Sequence, residues 1–407
     1  MATYYVKNGG NDSATGLDDT NAWAHAPGQA GWTGSVTPGA GDSVLFKRGD
    51  TWTNQALIPL YSGTVGNQIT FGAYGSGVLP ILDGNGGDYS TGLISLIAGQ
   101  DYLTFEYLEI RNVGKSLFVI RGNAGTVQGI RLQNCTIHDN NTAGYELIAV
   151  AGIAGNGTAT AIKILNNLIY DCTWNAIKIN RGATYVEVAN NTIHTCQHNG
   201  IDTLGDGSYY SAYLDIHDND IYNIALSTSG GAGIYTPGLN DSEIYENDIH
   251  DCPNLTYGQN GIKCGQQAIP CNRITVRNNR IWKLAGVHAN SNALWFDHNT
   301  DSNVWNNTVY NCYRTMMDDG TNTALSNENN LAYACTNGTA SLANYGSDPK
   351  FIDPTGTPPD FHLQFNSPVI DQGVDVGLPY NDTAPDLGAY ECFIGLSWSF
   401  STRLRFT

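Results

Sequence analysis

The chain has 407 residues, a formal net charge of −18 and only 19 Lys plus Arg. That balance argues against nucleic acid as a partner, because phosphate binding wants a basic surface, and it disfavours an anionic membrane; no apolar stretch is long enough to span a bilayer. It leaves room for an acidic polysaccharide or oligosaccharide, provided that calcium or a local basic patch offsets the field.

Residues 1–40 are rich in Gly, Asp and Trp and are expected to form an N-terminal cap. Regular β structure is expected to begin at GDSVLFKRGDTW, residues 41–52. The sequence then becomes periodic: Asn/Asp-Asn-x-Ile/Val followed by His, Tyr or Trp. The pattern reads NCTIHDN at 134–140, NNLIYDC at 166–172, NNTIHTC at 190–196, NDIYN at 219–223, NDIHDC at 247–252, NNRIW at 278–282 and NNTVYNC at 306–312. From Ile110 through Ile137, Ile169, Ile193, Ile221, Ile249, Ile281 and Val309 the intervals are 27, 32, 24, 28, 28, 32 and 28 residues. Such a period marks a solenoid, in which each coil packs only on its neighbours.

Each coil holds three short β-like runs. The first precedes the Asn pair, as in Ile130-Arg131-Leu132, Ile162-Lys163-Ile164, Val186-Glu187-Val188, Leu214-Asp215-Ile216 and Ile274-Thr275-Val276. The second is the Asn-x-Ile/Val segment. The third follows roughly eight residues later, as in Ile177-Lys178-Ile179, Ile201-Asp202-Thr203, Ile234-Tyr235-Thr236, Ile262-Lys263-Cys264 and Leu294-Trp295-Phe296. Alternation puts apolar side chains inward and polar ones outward, and no amphipathic helix interrupts the runs. The expected fold is all-β, a parallel β-helix over residues 41–345. Asn suits the turns because it tolerates left-handed dihedrals and bonds to nearby backbone, and stacked Asn side chains can bond to one another.

Cys172, Cys196, Cys252 and Cys312 share a coil position with Ile224 and Leu284, so these thiols read as core groups. Cys264 and Cys271 are spaced to close the loop CGQQAIPC by a disulfide, or to remain free. Residues 346–407 lose the repeat register; the Pro-rich part is expected to pack over the C-terminal end, and ECFIGLSWSFSTRLRFT to form a last strand or an assembly surface.

YYVKNGGNDSATG, GDSVLFKRGDTW, ITFGAYGSG with ILDG, the coil repeats, and DFHLQFNSPVIDQG followed by DLGAYE together resemble the pectate-lyase-like, right-handed parallel β-helix superfamily of secreted bacterial proteins. The resemblance covers nearly the whole chain. It implies a right-handed helix, a secreted or cell-surface location, with MATYYVKNGG reading as the start of a mature chain, and a polysaccharide lyase, glycoside hydrolase, epimerase or noncatalytic surface or phage module. The polygalacturonase-type set is not matched: Asp318-Asp319 is present, but Gly-His-Gly and Arg-x-Lys are not. The fold alone does not choose the reaction.

Stacking turns repeat register into geometry, with equivalent residues ~4.8 Å apart. The outward row of the third run reads Lys178, Asp202, Tyr235, Lys263, Trp295, with His198, Asp206, Tyr209, Asp297 and His298 around it. A sugar chain is expected to stack on Tyr235 and Trp295. A lyase needs a base beside a uronate carboxyl and a stabiliser for the enolate-like charge; Lys178 or Lys263 would serve as base with a lowered pKa, and Asp202 would orient a Lys or bind calcium. On the first run Glu187, Asp215 and Glu243 occupy equivalent outward positions in successive coils. Like charges so placed suit a calcium ion, or else splay into solvent; Arg131 and Lys163 continue the row. Asp297 and Asp319 each lie three residues past Leu294 and Met316, an arrangement that would suit a retaining glycosidase, with Asp318 as a substitute. The row His138, Tyr170, His194, Tyr222, His250, Trp282, Tyr310 recurs in coils too remote to share one site and is read as turn packing. The leading expectation is a calcium-assisted lyase of a uronic-acid polymer. The rivals are a glycoside hydrolase using Asp202, Asp297 and Asp318 or Asp319, and a noncatalytic carbohydrate-binding module.

Overall fold

The computed structural model describes residues 1–392, except 98, 123–124, 153–157, 181, 205–209, 254–257, 287, 289, 339–341 and 343–344. Among these residues the strands form parallel sheets of 13, 11 and 9 strands and one two-stranded antiparallel hairpin. The first sheet runs from Thr3–Val6 to Ser326–Glu328, the second from Thr51–Thr53 to Leu331–Tyr333, and the third from Ile94–Leu96 to Met316–Asp318. One coil contributes one strand to each, as Thr184–Ala189, Thr192–Cys196 and Ile201–Leu204 do. The next coil stacks on it in parallel register, so that Ile137, Ile169, Ile193 and Ile221 are successive partners. The chain is a right-handed parallel β-helix with three strands per coil, as its period predicts.

Alternation fills the interior: Val186, Val188, Ile193 and Ile201 of one coil are all but fully buried, which keeps the apolar column continuous from coil to coil. The first residue of each Asn pair makes the turn. Asn134, Asn166, Asn190, Asn278 and Asn306 have φ of 53, 56, 57, 53 and 53°, the left-handed region that Asn tolerates best after Gly. Asp218 and Glu246 take the same conformation. The second Asn builds a buried polar ladder. Asn167, Asn191, Asn219, Asn247, Asn279 and Asn307 each donate Nδ2 to the next rung's Oδ1 at 2.8–3.0 Å, the last to Asn330. Each of these Oδ1 atoms also accepts the backbone N–H of the rung before it. Turn polar groups that would otherwise be orphaned inside the stack are thereby satisfied.

The His–aromatic row stacks on the outer face of the second sheet. Ring centroids from His138 through Tyr170, His194, Tyr222 and His250 to Trp282 are 4.6, 5.1, 4.9, 5.2 and 4.3 Å apart, which is the coil spacing expressed in rings. The hairpin Phe351–Asp353 and Asp360–Leu363 then places Phe361 against Trp282 and Tyr310. Cys172, Cys196, Cys252 and Cys312 are core groups. Cys264 and Cys271 are free and buried; the Cys271 thiol turns to donate to the Thr236 carbonyl at 2.6 Å, so the bridge across CGQQAIPC is not made. Among the described residues no helix is long and apolar enough to cross a membrane.

Candidate functional site

The third sheet carries the candidate site. Its pairing runs Lys178↔Asp202↔Tyr235↔Lys263↔Trp295↔Met317, so the outward row read from the repeat is continuous in space. A cavity of about 360 Å³ opens on this face, lined by His198, Asn199, Tyr235, Asn260, Lys263, His288 and Trp295, among others. Small residues make the room. Gly231 and Ala232 lie in the wall, and a Cβ at Gly231 would meet the His198 carbonyl at 2.5 Å.

At one end of the row Asp202 is 5% exposed. Its Oδ2 accepts from Asn175 Nδ2 at 3.0 Å and Asn199 Nδ2 at 3.2 Å, while its Oδ1 is covered and has no partner among the described residues. Burial pushes the carboxyl up to about 6, against the opposing pull of Lys178 and the two amides. Glu146 is likewise raised by burial, with Lys178 and Arg121 opposing. His198 stacks on Trp174 at 4.1 Å between centroids and donates Nδ1–H to Asn175 Oδ1 at 3.1 Å, an assignment forced because only the oxygen can accept the Asn199 N–H. Burial, then Lys178, holds its imidazole down at about 4. Among the described residues Lys178 has no carboxylate within ion-pair distance.

At the other end Lys263 Nζ lies 3.9 Å from the Trp295 ring centroid and 5.3 Å from that of Tyr235. The two rings hold the ammonium between them, so the faces expected to receive a sugar are occupied by the lysine. Burial lowers the Lys263 pKa, although Asp297 and Asp319 pull the other way. Tyr235 Oη donates to Gln266 Oε1 at 2.7 Å. Beyond Trp295, His298 Nδ1 is 2.5 Å from Asp297 Oδ1 and 3.8 Å from Asp319 Oδ2. Burial raises Asp297, which also bonds to Asp319; Asp319 is lowered, with the Thr321 and Asp297 hydrogen bonds outweighing its burial. The two carboxyls titrate as a pair, with Asp297 the more readily protonated of the two. Asp318 lies opposite Phe296 and bonds to the Gly320 N–H and Asn322 Nδ2.

Glu187, Asp215 and Glu243 are register partners, but on the first sheet, away from the cavity. Glu187 is paired with Lys163 and lies 3.7 Å from His217 Nε2, and Arg277 reaches Glu243 at 2.8 Å. Two of the three carboxylates thus have protein cations, and the row lies on a different sheet from the cavity-lining residues. Asp297, His298 and Asp319 can bring three donor atoms within 4.8 Å of one another, a mixed nitrogen–oxygen set of a kind that suits calcium poorly. Asp206 and Tyr209 lie outside the described residues. Sequence reasoning missed Asn175, Asn199 and Asn260. The signal was present as a second recurring Asn, three residues before the outward position of the third run: Asn175 before Lys178, Asn199 before Asp202, Asn260 before Lys263 and Asn292 before Trp295. Glu146 and His288 carried no repeat signal.

Solved structures similar to this chain include pectate lyase Pel9A (16% identity, 96% of each chain covered, TM-score 0.55) and the surface adhesin PfbA of Streptococcus pneumoniae (13% identity, 76% of this chain and 83% of that one, TM-score 0.54). A GH136 lacto-N-biosidase from Eubacterium ramulus is also similar (16% identity, TM-score 0.52); the match covers 80% of this chain but only 65% of that enzyme. At these identities the likeness is one of fold. No curated protein matches the chain. The model of the right handed beta helix region matches residues 92–225 and 151–353, together more than half of the sequence, and the chain accordingly belongs to the right-handed beta helix family.

Proposed function

We propose that this protein is a secreted or surface-exposed carbohydrate-active enzyme, and specifically a lyase that cleaves a uronic-acid polymer by β-elimination with Lys263 as base. The observation that carries the reading is Lys263 itself: a cavity-lining lysine with its pKa lowered by burial and no ion-pair partner among the described residues. A desolvated lysine sheds its proton more readily and can act as a base. Neutral Lys263 Nζ takes the proton from the ring carbon beside the uronate carboxyl. The freed electron pair forms the ring double bond as the glycosidic C–O bond breaks, and the departing oxygen takes a proton from water in the open cavity. Lys178, also outside any ion pair among the described residues, supplies positive charge for a neighbouring anionic sugar.

The paired-aspartate rival is less well served. Asp202 and Asp297 are three coils apart, ~14 Å along the stack, with Tyr235 and Lys263 between them; glycosidase pairs stand about 5–9.5 Å apart. Asp297 and Asp319 instead touch one another. Calcium dependence remains part of the proposal, without a step assigned to the ion. The test is incubation with pectic, alginate and glycosaminoglycan polymers, with calcium and then with chelator, following the ultraviolet absorbance of unsaturated uronate ends. Lys263→Ala is expected to lower the rate by about 10²- to 10⁴-fold. New reducing ends without that absorbance would sink the lyase reading.

A further inference from the structure

The third sheet carries its own asparagine row, at Asn175, Asn199, Asn260 and Asn292, interrupted by Ala232. Each rung's Oδ1 accepts the N–H of the next coil: Asn175 from Asn199 at 3.1 Å, Asn199 from Ala232 at 2.8 Å, and Asn260 from Asn292 at 3.1 Å. Only an oxygen can accept these N–H groups, so the direction of every amide is fixed. The Nδ2 groups of Asn175 and Asn199 are thereby left to converge on one carboxylate oxygen, that of Asp202. In the coil of Asn260 the residue three positions on is Lys263, which offers no acceptor. Asn260 Nδ2 has no partner among the described residues, although Asn260 is only 7% exposed and lines the cavity. The gap beside it is the place where Ala232 lacks the amide that other coils carry.

We propose that the vacant rung is a carboxylate subsite: Asn260 Nδ2 donates to the carboxylate of the sugar on which Lys263 acts, and Ala232 provides the space. Asp202 shows, inside the same row, what such amides hold. This rests on the lyase reading and adds the substrate group recognised. An amide donor to the carboxylate also strengthens as charge flows into that group during proton abstraction, which is the stabilisation an elimination requires. Asn260 is a positioning and charge-stabilising residue, and the mark it should read is the carboxylate, since an alcohol at the same carbon carries no charge for it to stabilise.

The experiment is calorimetric binding of galacturonate, mannuronate, guluronate and glucuronate trisaccharides, each beside its carboxyl-reduced counterpart. The full chain is compared with Asn260→Asp and Ala232→Asn. Asn260→Asp keeps an oxygen for the Asn292 N–H but meets the ligand with like charge; Ala232→Asn removes no contact and fills the gap. The full chain should bind at least one uronate about ten- to hundredfold more tightly than its reduced form, the size of a charged hydrogen bond, and both variants should lose that preference with unfolding midpoints near the parent's. Equal binding of acid and reduced sugar, no binding of any uronate, or a preference that survives Asn260→Asp would each overturn the proposal. Failure of the lyase reading looks different: the carboxylate preference would persist while no unsaturated product formed.

Discussion

Asp202→Asn tests the electrostatics of the site without any substrate. The Asp202 carboxyl moves from its ordinary 3.8 to about 6 on folding. At about 1.36 kcal/mol per pH unit, that gap corresponds to about 3 kcal/mol of differential stability. The direction follows from proton counting. Below pH 3.8 the group is protonated folded and unfolded alike and costs nothing. Between 3.8 and about 6 the native state holds more proton than the unfolded chain, so stability falls as pH rises; above about 6 the cost is complete. Asparagine cannot ionise, and its carbonyl can still accept from the amides of Asn175 and Asn199. Urea unfolding of both proteins at stepped pH should therefore give a stability difference that shifts in favour of the variant by about 3 kcal/mol across this range, whatever its constant offset. A flat difference, or one that shifts towards the parent as pH rises, would refute the account of a carboxyl whose pKa is raised by burial.

Other consequences are as direct. Lys178→Met removes a charge that favours the ionised Asp202, so the Asp202 pKa, followed by carboxyl NMR, should rise further; an unchanged or lower value would mean that the lysine does not act on it. Asn247→Ala leaves Asn219 Nδ2, the Ile216 carbonyl and Asn279 Oδ1 each short of a bond, and should cost about 2–5 kcal/mol in urea unfolding, whereas a loss below about 1 kcal/mol would show that the ladder is not holding the turns. Thiol titration of denatured, unreduced protein should find all nine cysteines free; two fewer would restore the Cys264–Cys271 bridge.

Much of the site was readable because a solenoid repeats one environment. Once the Asn-x-Ile/Val centres are aligned, an outward residue of one coil must lie over its counterpart in the next, and Lys178, Asp202, Tyr235, Lys263 and Trp295 come out as one row. The same alignment put Glu187, Asp215 and Glu243 together. It also set Lys163 beside Glu187, but it said nothing of His217 and Arg277 closing on the row, because side-chain reach across coils is not periodic. Nor did it show Lys263 lying over the rings of Tyr235 and Trp295, which turned an expected sugar platform into a cage for a lysine.

Period, alternation and Asn turns were enough to determine the β-helix, since each is a local requirement met again in every coil. What only the tertiary structure decided is which polar groups are left over. Asn175, Asn199 and Asn260 are the same residue at the same register. Two of them spend their amides on Asp202 and one finds no acceptor among the described residues, because a hydrogen bond depends on the neighbour that the next coil happens to supply, and that neighbour is where the repeat is broken.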